Sequence, residues 1–120
     1  MTRALLVATA AALSLAACQA STPPTSAVLA SMTSYQAALV LAVKYNQLPR
    51  CAEDGPTLCS DAAVVKQLRM ADDAALAALE AARNVVLTPG ATDSAIAAAQ
   101  ASASQAVTAF QSILVLYNVK

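Results

Sequence analysis

The sequence predicts an all-α fold, a three-helix up-down-up antiparallel bundle that follows a cleaved leader and a flexible tether. Three observations predict it. Apolar residues recur at alternating steps of three and four over three long segments, which places them on one face of a helix. Pro and Gly stand outside those segments, at Pro49, Pro56, Pro89, Gly55 and Gly90 between them and at Pro23 and Pro24 before the first. No stretch alternates apolar and polar residues with the period of a half-buried strand.

The first helix is expected from about Ala27 to Gln47. Val28, Met32, Tyr35, Leu39 and Ala42 form its stripe, and Leu29, Val40 and Val43 widen it. Ser26 is the expected N-cap and Pro49 the stop. The second helix is expected from about Asp61 to Leu87, capped by Ser60, with Asp61 favourably placed at the positive end of the helix dipole. Val65, Leu68, Ala75, Leu79, Ala82 and Val86 form one stripe, interrupted by Asp72. A second stripe, Val64, Ala71, Ala78 and Val85, avoids that aspartate. The buried face should lie between the two, with Asp72 and Asp73 toward water.

Thr88-Pro89-Gly90-Ala91 is a turn, and Thr92 caps a third helix from about Asp93 to Asn118. Ile96, Ala99, Ala103, Ala106, Phe110, Ile113 and Tyr117 form the most regular stripe in the chain. Its other face carries uncharged Ser, Thr and Gln. Helices of this length run about 30 to 40 Å. Alanines on the stripes predict close helix axes and a thin core. The alternative architecture is a long hairpin of the second and third helices with the first one loose or paired with a partner.

The start of the chain reads differently. Met1-Thr2-Arg3 is short and basic, Ala4 to Leu13 is apolar, and small residues follow, as in a secretory signal peptide. Leu15-Ala16-Ala17-Cys18 then resembles the lipobox of bacterial lipoproteins, Leu-(Ala/Ser)-(Gly/Ala)-Cys, at all four positions. The resemblance covers the leader only. It implies that residues 1–17 are removed and that the Cys18 thiol carries a diacylglycerol, with the new amino terminus acylated as well. One acyl chain binds a membrane marginally and two or more hold it stably, since each buried methylene contributes about 0.8 kcal/mol. Gln19 after the cysteine implies the outer membrane in Gram-negative members of the family. The alternative is an ordinary signal peptide cut nearby, after Ala20. Residues 18–26, with Pro23 and Pro24 among Ser and Thr, are then an extended tether.

The leader's apolar run is shorter than the roughly 20 residues a membrane span needs. Ala37 to Val43 is apolar for only seven residues, which suits a helix burying one broad face.

With Cys18 assigned to lipid, Cys51 and Cys59 remain as an even pair in a turn-rich stretch of an exported chain. A disulfide is the expected state. A redox pair or a metal site are the alternatives. The spacing is Cys-x7-Cys rather than Cys-x-x-Cys, and the chain has no histidine to complete a zinc set.

Composition narrows the function classes. Without Arg3, six basic residues face seven acidic ones. No basic patch interleaves with aromatics, so a nucleic-acid partner is not expected. The absence of histidine removes Ser-His and Cys-His nucleophile pairs, and two glycines make no phosphate loop. Arg69 with Asp72 and Asp73, and Glu80 with Arg83, read as surface ion pairs. Glu53, Asp54 and Asp61 flank the cysteine loop but are too few for a calcium site. Tyr35, Tyr45 and Tyr117 are candidates for an aromatic recognition patch, but Tyr35 and Tyr117 lie on the core stripes, which favours packing over binding. No catalytic, metal or cofactor residues are expected. The function expected is that of a membrane-anchored envelope protein on the periplasmic side with a structural or protein-interaction role. A lipoprotein of a phage lysis module is the alternative, and an enzyme a remote one.

Overall fold

The computed structural model describes residues 23–119. Cys18, residues 1–17 and the first part of the tether lie outside the described residues. Three helices make up the fold: α1 (Pro24–Gln47), α2 (Ala62–Leu87) and α3 (Asp93–Leu116). Each packs against both others, and α2 with α3 most extensively. The loose first helix of the alternative hairpin is therefore ruled out.

α1 begins at Pro24, three residues before the expected start. Proline suits the first helical turn, because its fixed φ is already helical and its missing N–H would have no partner there. Pro23 stands at the N-cap without a side-chain hydrogen bond, so Ser26 lies inside the helix and does not cap it. Leu48 closes α1 in an extended conformation, as the ring of the following proline demands.

At α2 the expected cap is displaced by one residue. Asp61, not Ser60, is the N-cap, and its carboxylate accepts from the N–H groups of Ala63 and Val64 at 2.7 and 3.3 Å. Ser and Asp are comparable caps, and burial of Ser60 decides between them. Thr92 caps α3 as expected, accepting from Ala95 N–H at 3.2 Å. Between α2 and α3, Ala91 N–H donates to Thr88 O, and Gly90 takes φ +79°. With Pro89 before it this is a type II turn, which needs φ above zero at its third position.

The third helix stops at Leu116 rather than Asn118. Asn118 adopts φ 51°, Val119 N–H donates to Leu114 O at 2.8 Å, and Asn118 N–H to Val115 O at 3.1 Å. That bond pair with a left-handed residue is a Schellman cap, and it folds Val119 back onto the core. Tyr117 sits at the turn and is exposed, against its expected place on the core stripe.

One cluster runs through all three helices. It includes Val28, Tyr35 and Ala38 from α1, and Val64, Leu68, Ala75, Leu79 and Ala82 from α2. α3 adds Ala103, Val107, Phe110 and Leu114. Phe110, at 0 % exposure, is the largest fully buried side chain. The α3 face is centred one position away from the expected stripe, because Val107 and Leu114 are buried while Ile113 is only half so. Leu29, Val40 and Val43 are exposed instead of widening the buried face of α1.

By length and composition, α1 is able to cross a membrane, with mean hydropathy 1.5 over its most apolar stretch. Alanines spread along the helix raise its mean without making one long run. In the bundle, Val28, Tyr35 and Ala38 turn it toward its neighbours.

Candidate functional site

The most constructed part of the molecule is the connection from α1 to α2, which carries the two expected cysteines. Cys51 and Cys59 are joined by a disulfide, as expected for this pair in a turn-rich stretch. On its helix side the loop is closed by a stem of hydrogen bonds. Ser60 N–H donates to Pro49 O at 2.8 Å and Cys51 N–H to Ser60 O at 3.2 Å. The Ser60 side chain, at 0 % exposure, is the hub. Its hydroxyl donates to Leu48 O at 3.0 Å and accepts from Arg50 Nη1 at 3.3 Å. The second guanidinium nitrogen of Arg50 donates to Asn46 Oδ1 at 3.5 Å. From α1, the Tyr45 hydroxyl accepts Asp61 N–H at 2.9 Å. A buried hydroxyl is tolerated only when its hydrogen bonds are made, and here they tie the end of α1 to the start of α2.

The tip is the opposite in character. Residues 51–58 are all exposed, and Leu58 has 70 % of its surface in water. Gly55 N–H donates to Ala52 O at 3.0 Å. A Cβ on Gly55 would stand 3.1 Å from that same oxygen, so a larger residue there would press on the turn. Glu53 and Asp54 are on this exposed tip. Among the described residues, no group of three or more His, Cys, Asp or Glu is close enough to hold a metal ion.

A second polar feature lies inside the bundle. Tyr35 packs its ring against Phe110, with centroids 5.9 Å apart and planes at 43°. Its hydroxyl donates to Asp72 Oδ1 at 2.6 Å. Burial first, then the hydrogen bond to Asp72 and the charges of Asp72 and Asp73, push the phenol up to about 12. Such a phenol stays protonated at neutral pH and serves as a hydrogen-bond donor, not as a nucleophile. Asp72 is thereby corrected from water-facing to half-buried, while Asp73 is exposed as expected. The signal was present in the sequence. Asp72 is the polar member of the stripe Val65-Leu68-Asp72-Ala75-Leu79, and the stripe that contains it is the one that is buried.

The three tyrosines do not converge on one patch. Tyr35 holds Asp72, Tyr45 holds the loop stem, and the Tyr117 hydroxyl donates to Gln67 Oε1 at 3.1 Å. Comparison with protein families, with characterised proteins and with solved structures finds no match to this chain.

Proposed function

We propose that this chain is a small lipid-anchored envelope protein, held on the periplasmic side of the outer membrane by acyl chains on Cys18, with a structural or protein-interaction role. The observation that carries the reading is Leu15-Ala16-Ala17-Cys18 directly after a short basic and apolar leader. The Cys51–Cys59 disulfide supports it, because such bonds persist in oxidising compartments. In this reading residues 1–17 are removed, and the few residues from Cys18 to Pro23 link the lipid to the first turn of α1.

The reading includes an up-down-up course for the helices. Support comes from pairs along them. Gln100 donates to Pro24 O and Gln111 to Ser34 O, so positions advance together on α1 and α3. Tyr35 meets Asp72 and Tyr45 meets Asp61, so positions on α2 fall as those on α1 rise. The disulfide loop then stands at the end of the bundle away from the lipid, where an exposed, braced loop is accessible to another envelope component.

Cys18→Ser in the full chain, or blocking the lipoprotein signal peptidase with globomycin, is expected to leave an unprocessed precursor of higher mass. Persistence of mature protein at unchanged mass overturns the anchor.

A further inference from the structure

Two hollows on the α1–α2 side of the bundle share the side chains of Val65 and Arg69. The first, about 250 Å³, is lined by Arg50, Ala62, Val65, Lys66 and Arg69. The second, about 180 Å³, lies beside it between the helices and is lined by Leu39, Ala42, Val43 and Leu68, with Asn46 and Asp72. Of the five cations among the described residues, three surround the first hollow, and no carboxylate lines it.

Those cations are brought there by two elements. Lys66 and Arg69 are three apart on α2 and therefore share a face. Arg50 arrives from the loop stem, where its guanidinium is held by Asn46 Oδ1 and Ser60 Oγ. Both partners are neutral, so they fix the direction of the guanidinium without cancelling its charge. The acids nearest these cations in sequence, Glu53 on the exposed loop tip and Asp72 and Asp73 on α2, do not line this hollow, and Asp61 is turned to the N–H groups of Ala63 and Val64. In the second hollow the one acidic group, Asp72, already accepts the Tyr35 hydroxyl. A negatively charged ligand atom is disfavoured beside it, whereas hydrocarbon is accommodated by Leu39, Val43 and Leu68.

We propose that the two adjoining hollows together bind an amphiphilic carboxylate, with its head among Arg50, Lys66 and Arg69 and a short hydrocarbon chain in the cleft between α1 and α2. A guanidinium fork matches a carboxylate with two parallel hydrogen bonds, and such charge-assisted bonds are roughly twice as strong as neutral ones. The apolar floor excludes a fully hydrated anion as the preferred occupant. This site does not depend on the anchor at Cys18, and the two stand or fall by separate experiments.

The test is calorimetric titration of the full chain with three probes: hexanoate, hexanol and inorganic phosphate. Hexanoate is expected to bind at least about tenfold more tightly than either of the others. Arg69→Gln and Lys66→Gln are each expected to weaken hexanoate several-fold while helical circular dichroism is unchanged, since both side chains are exposed. Arg50→Gln is expected to do the same, but it also removes bonds of the loop stem, so the α2 variants decide. Hexanol binding as well as hexanoate overturns the cationic head site. Phosphate binding as well as hexanoate overturns the apolar part. Folded Arg69→Gln and Lys66→Gln proteins that bind like the parent, or no saturable binding of hexanoate at millimolar concentration, overturn the proposal.

Discussion

Tyr35 shows how one side chain can serve packing and charge together. Its ring covers Phe110 and its hydroxyl satisfies Asp72 at the edge of the core. Tyr35→Phe keeps the ring and removes the donor, and is expected to cost about 1.5 kcal/mol by denaturant titration, since the lost bond is to a charged group. The pH dependence has a definite sign. The phenol's folded pKa of about 12 lies above its unfolded value of about 10. Its contribution to stability is complete below pH 10 and is lost as the pH rises toward 12. Alkaline unfolding monitored by circular dichroism should therefore be less steep in Tyr35→Phe than in the parent. Phe110→Ala has a simpler cause. It empties the largest fully buried site of a thin, alanine-rich core and should destabilise by roughly 3 kcal/mol or more. An unchanged melting temperature for that variant contradicts the packing of α3.

At the scale of elements, the ends of the helices are where the chain's chemistry is most specific. Asp61→Ala removes the α2 cap and is expected to cost about 1 kcal/mol, while Ser26→Ala should be near neutral. Removing the disulfide by a Cys51→Ala, Cys59→Ala double variant should cost roughly 2.5 kcal/mol, the entropy of a nine-residue ring. For a domain of this size that lowers Tm by on the order of 10 to 20 °C. The three helices and both connections were legible because apolar steps of three and four and Pro-Gly punctuation are local signals. What was not legible depended on tertiary contact. Ser60 and Asp61 are both good caps, and only the buried hub at Leu48 O selects between them. Leu29, Val40 and Val43 are apolar, but apolarity alone does not say that the neighbouring helices lie elsewhere. Tyr117 fits the helical period, yet the left-handed Asn118 after it ends the helix and takes the side chain out of the core. The cysteine pair was readable from its setting, while the cations that Arg50 completes were not, because a loop residue and a helix face meet only in three dimensions.

Charge divides the whole molecule unevenly. α1 carries only Lys44 and α3 only Asp93, whereas α2 holds Lys66, Arg69, Asp72, Asp73, Glu80 and Arg83. The α1–α3 side is thus a surface of Ala, Ser, Thr and Gln, with Val40, Val115 and Leu116 exposed on those two helices. Beneath it, a single core cluster spans all three helices, so no helix can leave without exposing the side chains of the other two. Unfolding should be one cooperative step, with tyrosine fluorescence and helical circular dichroism tracing the same transition. Two separated transitions would mean that α1 detaches from a stable α2–α3 pair.

The bridged loop has one more consequence. Its tip is open to solvent, and among the described backbone only Gly55 is bonded there. A protease that cuts between Glu53 and Thr57 severs the polypeptide without releasing either piece, because Cys51 and Cys59 still join them. Such a nicked molecule migrates as one band on a denaturing gel and as two once a reductant is added.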